Sequence, residues 1–151
     1  MKKEFDTMQQ LKTLLARQRL AVLATHCSGQ PYSSLVSFAA TEDLKELLFA
    51  TTRATRKYAN LSADARVALL IDSRSNKESD IQKAVAVTAT GSAEEIHPPE
   101  KERFVELYLT KHPYLKEFVD SPACALLRVR VDTYYFVSRF QEVREIRPES
   151  F

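Results

Sequence analysis

Apolar residues change their spacing several times along the chain, and each change marks an element. Met8, Leu11, Leu14 and Leu15 recur at helical spacing. Asp6 and Thr7 precede them, with Gln10 three residues after Thr7, so a capping box predicts a first helix that ends near residues 17–19. Residues 20–25 form a short apolar run. Ser28, Gly29, Gln30 and Pro31 are turn chemistry, and residues 32–40 read as a second strand, which together predict a hairpin. Thr41, Glu42 and Asp43 turn the chain into a third strand over 47–52. A polar stretch over 53–57 then opens a short helical segment through Tyr58 and Leu61. Residues 67–71 are continuously apolar, the signature of a strand buried on both faces. Residues 73–80 form a loop.

From Ala84 the chain alternates over a long stretch, with Val85, Val87, Ala89, Gly91 and Ala93 on one side and Thr88, Thr90, Ser92 and Glu94 on the other. Pro98, Pro99 and Glu100 start a helix carrying Phe104, Val105, Leu107 and Tyr108, stopped by His112 and Pro113, with a second piece over 114–119. Two strands follow, over 125–132 and 134–140, then a last one over 141–146. Six or seven strands in hairpin succession lack the regular strand-helix alternation of a parallel sheet. The expected fold is mainly β with peripheral helices (α+β), an antiparallel barrel. No repeat or linker divides the chain, and its 151 residues suit one domain over 1–151.

Composition narrows the function classes. With 44% hydrophobic and 28% charged residues and a formal charge of +2, the chain is an ordinary globular sequence, and no basic stripe points to nucleic acid. Its two glycines, Gly29 and Gly91, are far apart, so neither a dinucleotide turn nor a phosphate-binding P-loop can be written anywhere. Any nucleotide must be held by other means. Cys27 and Cys124 have no metal-binding spacing, and His26, His97 and His112 are scattered, so no metal site is expected. No apolar run reaches membrane length, and no apolar region follows the first lysines. Without a disulfide framework, the expected compartment is the cytoplasm.

The segment from Phe49 through Ala50, Thr51, Thr52, Arg53, Ala54, Thr55 and Arg56 to Lys57 places hydroxyls and cations where a strand ends and a helix begins. Free N–H groups and the positive dipole end of a helix, joined by Thr55, Arg56 and Lys57, can grip a phosphate without glycine. The same residues also suit a solvated helix cap, and spacing does not separate the two. His26 and Cys27 are strand neighbours whose side chains point to opposite faces, so they cannot form a nucleophile-base pair. Cys124 reads as a small buried residue. Tyr134, Tyr135 and Phe136 suit core and interface; Arg139, Phe140 and Gln141 suit either a cavity lip or an exposed strand end.

The order of these segments, Gly29-Gln30-Pro31-Tyr32, Ser33 to Phe38, Phe49 to Thr52, Thr55-Arg56-Lys57 and Ala65 to Leu70, resembles the pyridoxamine 5'-phosphate oxidase-like family of FMN-binding split β-barrels. The resemblance implies that Thr55, Arg56 and Lys57 hold the FMN phosphate. It implies that Ser34, Leu35, Val36 and Ser37 line the isoalloxazine and ribityl chain, with Ala50 and Thr51 joining from the next strand. It also implies a homodimer with flavin at the interface. The closing strands carry Val129, Val131, Tyr134, Tyr135, Phe136 and Phe140, more apolar and aromatic side chains than one small barrel wall readily covers, which points to a homodimer as well. Measured against the oxidases themselves, the chain has Ser34 for an arginine, Ala39 for a lysine, Ala86 for a glutamine and Val137 for a tryptophan, and lacks the arginine-x-histidine pair. The function implied is an FMN-dependent oxidoreductase acting on a small molecule other than pyridoxamine phosphate. Alternatives are a flavin- or haem-binding protein without turnover, or an interaction module. No catalytic acid or base is assigned, because flavin hydride transfer need not use one.

Overall fold

The computed structural model describes residues 2–139 and 141–150. In chain order the elements are α1 (Lys2–Arg17), β1 (Leu20–Cys27), β2 (Gln30–Ala40), β3 (Glu46–Thr52), α2 (Arg56–Ala63), β4 (Arg66–Asp72), α3 (Asp80–Lys83), β5 (Ala86–Glu95), α4 (Lys101–Lys111), α5 (Lys116–Asp120), β6 (Cys124–Ser138) and β7 (Glu142–Ile146). All strand pairs are antiparallel, in the order β3-β2-β1-β4-β5-β6-β7. An added β3–β6 pairing closes six of the strands into a barrel, with β7 as an extension. The expected mainly β fold with peripheral helices is present.

Alternation supplies the barrel interior. Ala21 and Leu23 of β1, Val36 and Phe38 of β2, Leu69 and Ile71 of β4, Val87 and Ala89 of β5, and Tyr134 and Phe136 of β6 form one buried cluster. Leu11, Leu14 and Leu15 of α1 and Leu61 of α2 join it. A second cluster lies on the outer wall, where Phe104, Tyr108 and Val119 cover Ala39, Leu48 and Leu126. The outer wall is therefore dressed by α4 and α5 only over β2, β3 and the start of β6. Elsewhere it carries exposed apolar side chains, Leu20 and Leu70 among them, and Leu35 at 62% exposure.

Several local expectations are corrected. The first helix starts at Lys2, and Thr7 lies inside it: its Oγ1 donates to Lys3 O and accepts from Arg144 Nη1, so no capping box forms. The strand over 66–72 is buried on one face only, because Leu70 and its outward neighbours lie on the undressed wall. The strands expected over 125–132 and 134–140 are a single 15-residue strand with a register shift opposite Thr90 and Gly91. Gly91 permits that irregularity: a Cβ there would stand 2.1 Å from the Arg130 carbonyl oxygen. The short helix α3 was hidden because Asp80, read as loop, gathers the N–H groups of Ser75, Asn76 and Lys77 with its carboxylate. Val129, Val131, Tyr134 and Phe136 are buried within one chain, so they form core and not a subunit interface. Phe140 lies outside the described residues.

No helix among the described residues is long and apolar enough to cross a membrane. The described residues hold no cluster of three or more potential metal ligands, and Cys27 and Cys124 are unpaired thiols.

Candidate cofactor site

The first hairpin sets up the site. Ser28 and Gly29 both have positive φ, 49° and 83°, giving a two-residue turn whose twist suits paired strands. β2 is therefore held against β1 along its length, from Cys27↔Gln30 to Leu20↔Ser37. Its other edge is different. Pairing with β3 covers only Phe38↔Phe49, Ala39↔Leu48 and Ala40↔Leu47, which leaves residues 30–37 of β2 without a partner strand on that side. The barrel is split there.

Main-chain groups alternate in direction along a strand. Phe38 N–H bonds Arg19 O on the β1 side, so Ser33, Leu35 and Ser37 aim their N–H and C=O groups at the open edge. Pro31 shares that parity and has no N–H to leave unpaired. Ser34 and Val36 have the opposite parity. Their main chains serve β1; the Val36 side chain is in the core, and the Ser34 Oγ is shielded from solvent without any hydrogen-bond partner. An unpartnered hydroxyl of that kind costs about 1–3 kcal/mol.

Across the split stand the end of β3 and the start of α2. Ala50 is half-buried on the outer side, while Thr51 points inward and is 2% exposed. Thr55 caps α2. Its Oγ1 donates to Thr52 O at 3.1 Å, accepts Tyr58 N–H at 3.3 Å and lies 2.9 Å from Thr51 Oγ1. A hydroxyl has one proton and two acceptor sites, so these three contacts use the Thr55 hydroxyl fully. It shapes the helix entry.

The cations of this turn differ sharply. Arg53 grips Glu95 with Nη2 at 2.7 Å and Nε at 3.2 Å, and gives Nη1 to Pro122 O at 2.8 Å. Tyr58 donates its hydroxyl to the same carboxylate at 2.7 Å. Hydrogen bonds from Arg53 and Tyr58 hold the Glu95 carboxyl below its usual range despite partial burial. This arrangement pins the β3–α2 turn to the end of β5. Arg56 and Lys57, by contrast, make no ion pair among the described residues, and Arg56 lies over the Tyr32 ring at 5.7 Å. Two uncommitted cations and the first N–H groups of an eight-residue helix thus flank the open edge of β2.

The residues fit a flat heterocycle with a phosphate tail. An unpaired strand edge offers alternating donors and acceptors to a planar ring, and the helix entry offers positive charge. Of the residues expected here, Leu35 and Ser37 contribute main-chain edges, Ser34 the unpartnered hydroxyl, Ala50 and Thr51 the opposite wall, and Arg56 and Lys57 the charge. The Val36 side chain lies in the core, and the Thr55 hydroxyl caps α2. Glu95, Tyr58 and Tyr108 were not expected at the site: Tyr58 and Tyr108 read only as helix positions, and Glu95 only follows a long alternating strand.

The sequence pattern of pyridoxamine 5'-phosphate oxidase matches residues 7–138, and the chain belongs to that family. No curated protein matches the sequence. Among solved structures, a heme binding protein from Mycobacterium smegmatis superposes with a TM-score of 0.81 at 19% identity. The match covers 92% of this chain but 57% of that one, so this chain spans little more than half of that relative. ChuZ of Campylobacter jejuni gives a TM-score of 0.81 at 13% identity, covering 94% and 59% of the two chains. An FAD-binding protein from Mesorhizobium loti gives 0.69 at 16% identity, covering 85% and 90%. At these identities the likeness is one of fold.

Proposed function

We propose that this chain binds FMN in the split between β2 and β3 and works in the cytoplasm as an FMN-dependent oxidoreductase on a small molecule. The observation that carries this reading is the unpaired β2 edge facing Arg56 and Lys57, the two cations of the turn that no carboxylate neutralises. Bound FMN supplies the hydride or electron transfer. The chain's own residues do the rest. The N–H and C=O groups of Leu35 and Ser37 orient the ring edge, Ala50 leaves room against the opposite strand, and Arg56, Lys57 and the first turn of α2 hold the phosphate. FMN is favoured over FAD because one cationic helix entry, without a glycine-rich turn, suits a terminal phosphate better than a pyrophosphate. Two free thiols and the absence of any disulfide support a reducing compartment.

The undressed wall of β1, β4 and β5 supports a homodimer. Leu20 of β1 and Leu70 of β4 are exposed there, with Leu35 of β2 exposed beside them, and a second copy packed on that wall would cover them and close the flavin slot from outside. The test of the whole reading is the purified protein itself. A yellow preparation whose released cofactor is FMN agrees with it; stoichiometric FAD without FMN contradicts it.

The likeness to a heme binding protein favours a second reading, a binder of flavin or another flat ligand without turnover. NADH or NADPH added to the anaerobic holoprotein separates the two. Bleaching of the flavin supports turnover, and an unchanged spectrum supports storage or sensing.

A further inference from the structure

β2 and β3 part at one place, and a side chain of α4 stands in it. Their ladder runs from Ala40↔Leu47 to Phe38↔Phe49, and its next rung would be Ser37 against Ala50. By the alternation already described, that rung would carry main-chain hydrogen bonds, as Ala39↔Leu48 does. Tyr108 occupies it instead. Its hydroxyl donates to Ser37 O at 3.0 Å, and the Tyr108 hydroxyl oxygen itself faces the Ala50 N–H on the β3 side. The tyrosine is 1% exposed, packed with Ala39, Leu48 and Leu126 on the outer wall. One helical turn further on, His112 pairs Nε2 with Phe38 O at 2.7 Å, so the same helix also fixes the last paired residue of β2.

We propose that Tyr108 is the wedge that ends the β2–β3 ladder, its hydroxyl standing between Ser37 O and the Ala50 N–H and so setting where the barrel splits and where the ring end of the flavin slot begins. Without it the strands have every reason to continue pairing, since each unmade rung leaves main-chain groups unsatisfied. The ring supplies the width and the hydroxyl supplies the bonds that width would otherwise cost. Tyr108 is a positioning residue: it touches the two residues that would flank the ring, and not the phosphate end. The structural half of the proposal stands alone; the binding half rests on the flavin reading above.

Tyr108→Phe tests it, because the ring stays and the hydroxyl goes. In flavin-free protein, amide exchange at Ala50 is expected to quicken about three- to tenfold, the loss of one neutral hydrogen bond. Titrations with FMN and with riboflavin are expected to weaken by the same factor, about three- to tenfold, leaving their ratio as in the parent. Phe104→Leu is the control: it lies in the same apolar cluster and lowers stability without touching the rung, so Ala50 exchange and both affinities should match the parent. Unchanged Ala50 exchange in Tyr108→Phe overturns the wedge, as does a Phe104→Leu variant that reproduces its effects. Faster exchange with unchanged affinity for both flavins overturns the positioning role. A parent that binds neither flavin defeats the proposed function, while the exchange measurement still decides the wedge.

Discussion

Ala86 on β5 and Val137 on β6 are register partners, facing each other across the ladder on the outer side of the barrel. In the oxidases the family resemblance places a glutamine and a tryptophan at these two positions, so two of the chain's departures fall on one spot of one sheet. A half-buried alanine opposite a half-buried valine offers no donor and no flat ring to a pyridine substrate. A pocket built to bond a substrate phosphate and ring loses several orders of magnitude when those bonds are missing. The expected outcome is no turnover of pyridoxamine phosphate above background in an oxygen-consumption assay with the flavin-loaded protein. Turnover at an ordinary enzyme rate would contradict the reading of these positions.

Gly91 is the second prediction. Its missing Cβ would stand 2.1 Å from one backbone oxygen, that of Arg130, and 3.1 Å from the Val129 side chain. A carbonyl in the middle of a 15-residue strand cannot move aside as a side-chain tip can. Gly91→Ala is expected to lose about 3 kcal/mol or more of stability in urea unfolding. A change within about 0.5 kcal/mol, the range of an ordinary surface substitution, contradicts it.

The third concerns His112, which is wholly buried with both ring nitrogens engaged, Nε2 by Phe38 O and Nδ1 by the Tyr114 hydroxyl at 2.9 Å. Burial lowers its pKa from the usual 6.5, helped by the nearby charges of Lys111 and Arg19 and opposed by the Phe38 carbonyl. The folded chain then keeps this ring neutral while the unfolded chain protonates it below about 6.5, so the unfolded state binds more protons there. Stability is expected to fall as pH drops below that value, by up to about 1.4 kcal/mol per unit. His112→Gln should be less stable at pH 7 yet nearly flat between pH 6.5 and 5. A parent as flat as the variant over that window would show that His112 titrates alike in both states.

The fourth tests the subunit face. Leu20 and Leu70 are 48% and 37% exposed on the undressed wall. Sedimentation of the parent at micromolar concentration should give a dimer. Leu70→Glu, which would bury a charge in that contact, should give a folded monomer. A parent that sediments as a monomer with flavin bound contradicts the dimer.

Most of the barrel was legible because it rests on local rules. Alternation in β1, β2 and β5 and the turn at Ser28 and Gly29 are properties of short windows. What escaped depends on partners distant in the chain. The continuity of β6 depends on Gly91 meeting Arg130, and the true start of α1 on Arg144 reaching Thr7. In the site, Thr55, Arg56 and Lys57 were found as a motif, but motif reading treats all three alike. Only the fold spends the Thr55 hydroxyl on the helix cap, sequesters Arg53 with Glu95, and leaves Arg56 and Lys57 uncommitted. Tyr108 looked like any apolar helix position, because nothing near it in the chain shows that Ser37 and Ala50 meet around its hydroxyl.

Those differences make the central claim measurable with one set of titrations: FMN and riboflavin against the parent and four alanine variants. Charge-assisted bonds to a phosphate contribute about 1.5–3 kcal/mol each, so Arg56→Ala and Lys57→Ala should each weaken FMN about ten- to a hundredfold. Riboflavin, which has no phosphate, should be nearly unaffected. Thr55→Ala should cost about 1 kcal/mol of stability through the lost cap and weaken FMN less than either cation. Lys77→Ala, in the loop before α3, should bind like the parent. If Arg56→Ala weakens FMN and riboflavin equally, or binds FMN as well as Lys77→Ala does, the helix entry is a solvated cap and the phosphate assignment is wrong.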